Sequence, residues 1–170
     1  MPSFPIGKTK TFKLFSLQTG NWLLLYGKMP RHRGANMYVD SIGVKSKNIN
    51  DLILQVKKGL PTSSFEKLRK KFDISDNLLS QIVSIPKRTL NRRKQQGRLS
   101  AVESERVLRI ARLYDQALDV FEDEEAVENW FKKPARALAG TSPLKYADTE
   151  LGAQEVERLL IRIEHGVFPG

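Results

Sequence analysis

The chain has 170 residues, no cysteine, 40% hydrophobic residues, and 29 Lys and Arg against 19 Asp and Glu, a formal charge of +10. That length buries the core of one or two small domains, and the absent thiols exclude a disulfide framework and any thiolate metal site, as suits a reducing cytoplasm. Residues 1–100 hold 20 Lys and Arg against 5 Asp and Glu, net +15, whereas residues 101–170 hold 9 against 14, net −5, so polyanionic nucleic acid is expected on the first part only.

Residues 1–46 read as a basic arm with Asp40 as its only acid. A hairpin is expected from Phe12 to Tyr26 around Thr19-Gly20-Asn21. The apolar run Trp22 to Tyr26 is too short to cross a bilayer or to serve as a secretion signal, so no membrane partner is expected. No residue of the arm carries recognisable chemistry. It is expected to be poorly ordered or not always translated, Met37 being an in-frame methionine beyond which all the readable pattern lies.

From residue 47 to 99 the pattern changes to short helices with clear stops. A helix over Asn50 to Lys58 places Leu52, Ile53 and Val56 on one side and ends at Gly59, with Pro61 beyond. Ser63 and Glu66 have the spacing of a capping box ahead of Phe65, Leu68 and Phe72. Ser75 or Asp76 opens a third helix bearing Leu78, Leu79, Ile82 and Val83, and the chain then turns through Pro86 into KRTLNRRKQQGR. Two short helices joined by a tight turn, the second rich in Lys, Arg, Thr and Asn, are the arrangement that puts a recognition helix into the major groove of double-stranded DNA. With Pro86 as the first helical residue, Leu90 faces inward, and Lys87, Arg88, Asn91 and Arg92 are left outward to reach base edges. Arg93, Lys94 and Arg98 come later and are expected to clamp phosphates, with Thr89 suited to either task. A solvated basic helix is the alternative. One such module binds weakly, so a homodimer presenting two of them to an operator is expected.

Ser100 with Glu103 makes a second capping box, followed by Val107, Ile110, Ala111, Tyr114, Ala117, Leu118 and Phe121 at helical spacing. This longest helix is expected to join the halves. Glu122 to Glu125 are read as complementing the dipole of the next helix, with Val127, Trp130 and Phe131 as its buried face. Ser142 before Pro143 marks a helix start whose donors Ser142 can accept, and Thr149 marks another. Val156, Leu159, Leu160 and Ile163 then form one apolar face before Gly166 ends the helix and Val167 and Phe168 follow. Two apolar residues near a chain end are either tucked back or waiting for a partner.

Pro134, Arg136, Ala137, Leu138, Gly140, Ser142, Pro143, Thr149, Gly152, Val156, Leu159, Ile163 and Gly166, at this spacing, resemble the toxin-binding C-terminal domain of the Xre, MbcA and ParS antitoxins, partners of RES-type toxins. The order of modules also matches, since most of that family carries a helix-turn-helix ahead of this domain. One departure is Ala139, where the family more often has a second Gly, so that turn is expected to be tighter or shifted. The resemblance implies an all-α protein: a helix-turn-helix DNA-binding bundle over residues 47–99 and a small helical toxin-binding domain over residues 100–170. It implies further that the chain end covers the active-site cleft of a toxin that consumes NAD or transfers its ADP-ribose. Arg162, Glu164, His165, Gly166, Val167 and Phe168 are then the expected toxin contacts, Val167 and Phe168 as apolar anchors.

Catalysis is not expected. The two histidines, His32 and His165, lie in unpromising places, no Gly-rich phosphate loop follows a strand, and neither a metal nor a cofactor is called for. The leading reading is an antitoxin that neutralises a RES-type toxin by covering its active site and represses its own operon. The alternatives are a stand-alone helix-turn-helix repressor whose C-terminal domain only dimerises, and a structural module with incidental basic charge.

Overall fold

The computed structural model describes residues 37–166. The hairpin expected over Phe12 to Tyr26, His32, Val167 and Phe168 lie outside the described residues. Those described are helical apart from one small antiparallel hairpin, β1 (Met37–Val39) and β2 (Val44–Ser46), in which Met37 faces Ser46 and Val39 faces Val44. The arm over residues 1–46 was expected to be poorly ordered or not always translated, and its last stretch, residues 37–46, belongs to the fold. Val39, Ile42 and Val44 are buried in the common core, the Ser41 N–H donates to Asp115 Oδ1 at 3.1 Å, and the Ser41 hydroxyl donates to the Ala111 carbonyl at 3.2 Å.

Helix α1 (Ile49–Lys58) starts where Asn48 Oδ1 accepts the Asp51 N–H at 2.9 Å and stops at Gly59, whose φ of 87° suits glycine. Leu52 and Val56 are buried, but Ile53, expected beside them, is exposed, because it lies about 100° around the helix from Leu52. Helix α2 (Thr62–Lys71) does not form the expected capping box. A bridge between Pro61 and Arg98, with the Thr62 N–H on the Gly97 carbonyl, starts the helix before Ser63, and Glu66 turns instead to Arg69 and Lys94. Phe65, Leu68 and Phe72 are fully buried. Helix α3 (Asp76–Ile82) is capped by the Ser75 hydroxyl, and α4 (Lys87–Gln96) follows with Pro86 as its cap, so that it starts one position later than expected, and Gly97 closes it.

Helix α5 (Ala101–Phe121) is the longest of the described elements and opens on the expected Ser100–Glu103 box, both hydrogen bonds being present. Its stripe from Val107 to Ala117 is buried, with Leu118 and Phe121 half-buried behind it. Asp123 caps α6 (Glu124–Lys132) by accepting the Glu125 and Ala126 N–H groups, which places Glu124 and Glu125 on the positive end of the helix dipole. Val127 and Phe131 are buried and Trp130 is half-buried. A short 3-10 turn, Arg136–Leu138, leads through Ala139 to α7 (Pro143–Tyr146), where Ser142 occupies the cap position but its hydroxyl makes no capping bond. Helix α8 (Glu150–Glu164) begins with Thr149 accepting the Gly152 N–H, buries Val156, Leu159 and Leu160, and ends at His165 and Gly166.

One continuous core runs through both halves. Phe72 of the α2 terminus meets Tyr114 of α5 and Phe131 of α6 edge-on, each at 5.0 Å between ring centres. Burial pushes the Tyr114 hydroxyl up to about 12, helped by Glu124, Glu128 and Asp115.

Candidate functional site

Helix α4 is held by its inner side and left free on its outer one. Leu90 is buried, while Lys87, Arg88, Asn91 and Arg92 are exposed. Gln95, also exposed, completes that face one turn beyond Asn91; its amide, like that of Asn91, can pair with both hydrogen-bonding groups of adenine. Gln95 was not among the contacts expected from the sequence, although its i, i+4 spacing from Asn91 was legible. Asn77 of α3 shares a shallow hollow with Lys87 and Asn91. Thr89 sits half-buried on the flank.

The three residues expected to clamp phosphates have partners within the fold. Arg93 Nε lies 2.8 Å from Glu103 at the start of α5. Lys94 Nζ lies 2.6 Å from Glu66 of α2 and 2.5 Å from Asp76 of α3, and these hydrogen bonds, Asp76 first, hold its ammonium above the ordinary lysine value. Arg98 Nη1 donates to the Gly59 carbonyl at 2.8 Å. Burial pushes the Glu103 carboxyl up, but the Ser100 N–H and Arg93 together pull it down further, so it sits below its ordinary value. Arg93 and Lys94 brace α4 against its neighbours, and Arg98 ties the segment after it to the end of α1.

Helix α5 grips both halves from one side. Arg106 Nη1 donates at 2.9 Å to the carbonyl of Ser84, a left-handed residue (φ 50°) in the turn between α3 and α4. One turn further on, Arg109 Nη2 donates at 2.8 Å to the Asp148 carbonyl in the α7–α8 connection and Nη1 approaches Glu150 at 3.5 Å. Neither arginine was singled out from the sequence, since their partners lie 22 and 39 residues away.

At the far end of α8, Arg162 is half-buried, its Nε without an acceptor among the described residues, and Glu164, His165 and Gly166 are exposed. At the near end an open groove of about 400 Å³ is lined by Thr141, Lys145, Tyr146, Asp148, Thr149, Leu151, Gly152 and Glu155, with Leu151 76% exposed on its rim. Gly152 is required there, because a Cβ would stand 1.8 Å from the Tyr146 carbonyl oxygen.

Two family profiles match the chain, an antitoxin Xre-like helix-turn-helix domain over residues 51–112 and an antitoxin Xre/MbcA/ParS C-terminal toxin-binding domain over residues 116–166. Antitoxin Xre of Photorhabdus laumondii is 32% identical over 141 residues, covering 81% of this chain and 95% of its own. The chain belongs to the Xre antitoxin family. Antitoxin Xre of Yersinia enterocolitica is 33% identical over 129 residues, 75% of this chain and 87% of its own. A Sphingobium protein named Prs ADP-ribosylating antitoxin is 28% identical over 128 residues, 69% of this chain and 80% of its own.

For this Xre-family antitoxin a helix-turn-helix implies DNA as one partner and the C-terminal domain implies a toxin as the other. The exposed face of α4 lies within the first matched region and the ends of α8 within the second. Ala139, the departure from the family pattern, adopts the left-handed conformation itself, with φ 52°, followed by Gly140 at 74°. An alanine in that conformation carries local strain that a glycine would not. Among the described residues no helix is long and apolar enough to cross a membrane, and no group of three His, Cys, Asp or Glu is placed to hold a metal ion.

Proposed function

We propose that this antitoxin neutralises a RES-type, NAD-consuming toxin by covering its active site with the end of α8 and the residues after it, and that as a homodimer it represses its own operon by binding operator DNA in the cytoplasm. The observation that carries the DNA half is the division of labour on α4, where the cations that brace the helix are distinct from Lys87, Arg88, Asn91 and Arg92, whose side chains make no hydrogen bond or ion pair among the described residues. Arg and Lys donate to guanine N7 and O6, and Asn pairs with adenine. Support for the toxin half comes from the exposure of Glu164, His165 and Gly166 at the end of a toxin-binding domain. The ADP-ribosylation in the name of the Sphingobium relative supports NAD chemistry in the partner.

Co-expression with the product of the neighbouring reading frame, reading copurification and cellular NAD together, tests the pairing. Copurification with NAD preserved is expected. Removing residues 164–170 should abolish protection while leaving operator binding intact, and a truncated chain that still protects fully would defeat the covering mechanism. For DNA, Arg88→Ala should weaken the cognate operator by about 1–3 kcal/mol and random duplex much less; equal losses on both would remove Arg88 from base reading.

A further inference from the structure

The ion pairs that brace α4 lie late in the helix, Arg93 on Glu103 and Lys94 on Glu66 and Asp76, whereas Lys87 and Arg88 stand in its first turn. That first turn has no side-chain cap, and Pro86 before it brings no N–H. Its direction is left to buried Leu90 and to the connection from α3.

Val83, Ser84, Ile85 and Pro86 make that connection. Val83 and Ile85 are buried on either side of Ser84, and the Ile85 N–H donates to the Ser80 carbonyl at 2.8 Å. Pro86 disfavours helical backbone at Ile85. Ser84 between them is exposed and holds a φ of 50°, which a serine adopts only against steric resistance. Its carbonyl is the acceptor for Arg106 Nη1 at 2.9 Å. This is the single polar contact of the Arg106 side chain among the described residues, and its guanidinium forms no ion pair there. The backbone that carries Arg106 is fixed by buried Val107 and by Ser104, whose hydroxyl accepts the Leu60 N–H at 2.8 Å.

We infer that Arg106 is a positioning residue for DNA recognition: by holding the Ser84 carbonyl it keeps this serine left-handed and so aims the first turn of α4, with Lys87 and Arg88, at the bases. The inference rests on the reading of α4 given above. Without the arginine, Ser84 returns to the ordinary regions of backbone space, and the start of α4 swings about Leu90 while Arg93 and Lys94 keep its far half in place. Hydrogen bonds to base edges weaken steeply with misalignment, whereas attraction to phosphates tolerates it, so selectivity is lost before affinity for DNA in general.

Binding of the full chain to a duplex from the promoter of its own operon, and to a shuffled duplex of the same length, tests this across a salt series, at a temperature where circular dichroism shows every variant folded. Arg106→Met removes the donor and keeps most of the apolar stem. It should lower the promoter-to-shuffled affinity ratio about tenfold and leave the salt slope on the shuffled duplex unchanged. Adding Ser84→Gly to Arg106→Met should restore most of that ratio, because glycine holds a left-handed turn without the arginine. A ratio untouched by Arg106→Met, or a double variant as unselective as the single one, overturns the positioning role and leaves the reading of α4 standing. So does an equal loss on both duplexes with the salt slope reduced by about one unit, which makes Arg106 a phosphate contact. A native chain without preference for the promoter duplex overturns the proposed operator reading and this inference with it.

Discussion

Ala139 holds a left-handed φ of 52° that glycine adopts without strain, so Ala139→Gly relieves a steric cost that is partly offset by the freer unfolded chain. The expected outcome is a gain of about 0.5–1 kcal/mol, seen as a higher thermal midpoint. Asp115 behaves oppositely to an ordinary surface carboxylate: burial raises it, the Ser41 hydrogen bonds pull back, and Asp40 and Asp119 raise it again, to about 6. A carboxyl whose folded value is raised binds its proton more tightly when folded, so its contribution to stability falls as pH climbs from about 4 to about 6. Glu103 has the opposite sign, since its lowered value gives stability that is present above about 4.5 and lost on acidification. Asp115→Asn should therefore be more stable than the native chain at pH 7, by on the order of 2 kcal/mol, with the advantage gone near pH 4. Denaturant melts of both proteins at the two pH values check it.

At the scale of elements, α4 is positioned by ion pairs that span α2, α3 and α5. Lys94→Met breaks the contacts to Glu66 and Asp76 together, so it should lower the thermal midpoint and weaken cognate and random DNA alike, whereas Arg88→Ala leaves the midpoint unchanged. Comparing melts with gel-shift affinities separates the two. What was legible here depended on the reach of each interaction. The Ser100–Glu103 box joins neighbours and was readable from spacing alone; Ser63–Glu66 has the same spacing, but Lys94 draws Glu66 away from the helix start. Arg93, Lys94 and Arg98 look in sequence like any other cations of a basic helix. Only the fold brings Glu103, Asp76 and the Gly59 carbonyl to them. The hairpin escaped notice for the same reason, because three-residue strands are held by a contact between Ser41 and Asp115 across 74 positions.

For the whole molecule, the apolar periodicities of α5 and α8 made the helical class and the order of modules readable, but not their fusion. Phe72, Tyr114 and Phe131 interlock across the two halves, Lys71 pairs with Glu124, and the boundary between the two matched family regions falls inside α5. The halves should therefore unfold in a single step, with near-UV and far-UV signals melting together. Gly152→Ala, which forces α8 off the Tyr146 carbonyl, should lower that shared transition by about 1–3 kcal/mol and not create a second one. Calorimetry giving two resolved transitions would contradict this.

Arg106 and Arg109, one turn apart on α5, have a consequence for turnover. A protease that cuts this helix between them separates the arginine that holds the Ser84 turn from the one that holds the α7–α8 connection. Neither fragment keeps a complete core, so a cell that degrades this protein removes the helix-turn-helix and the toxin-binding domain together, with no folded half left behind.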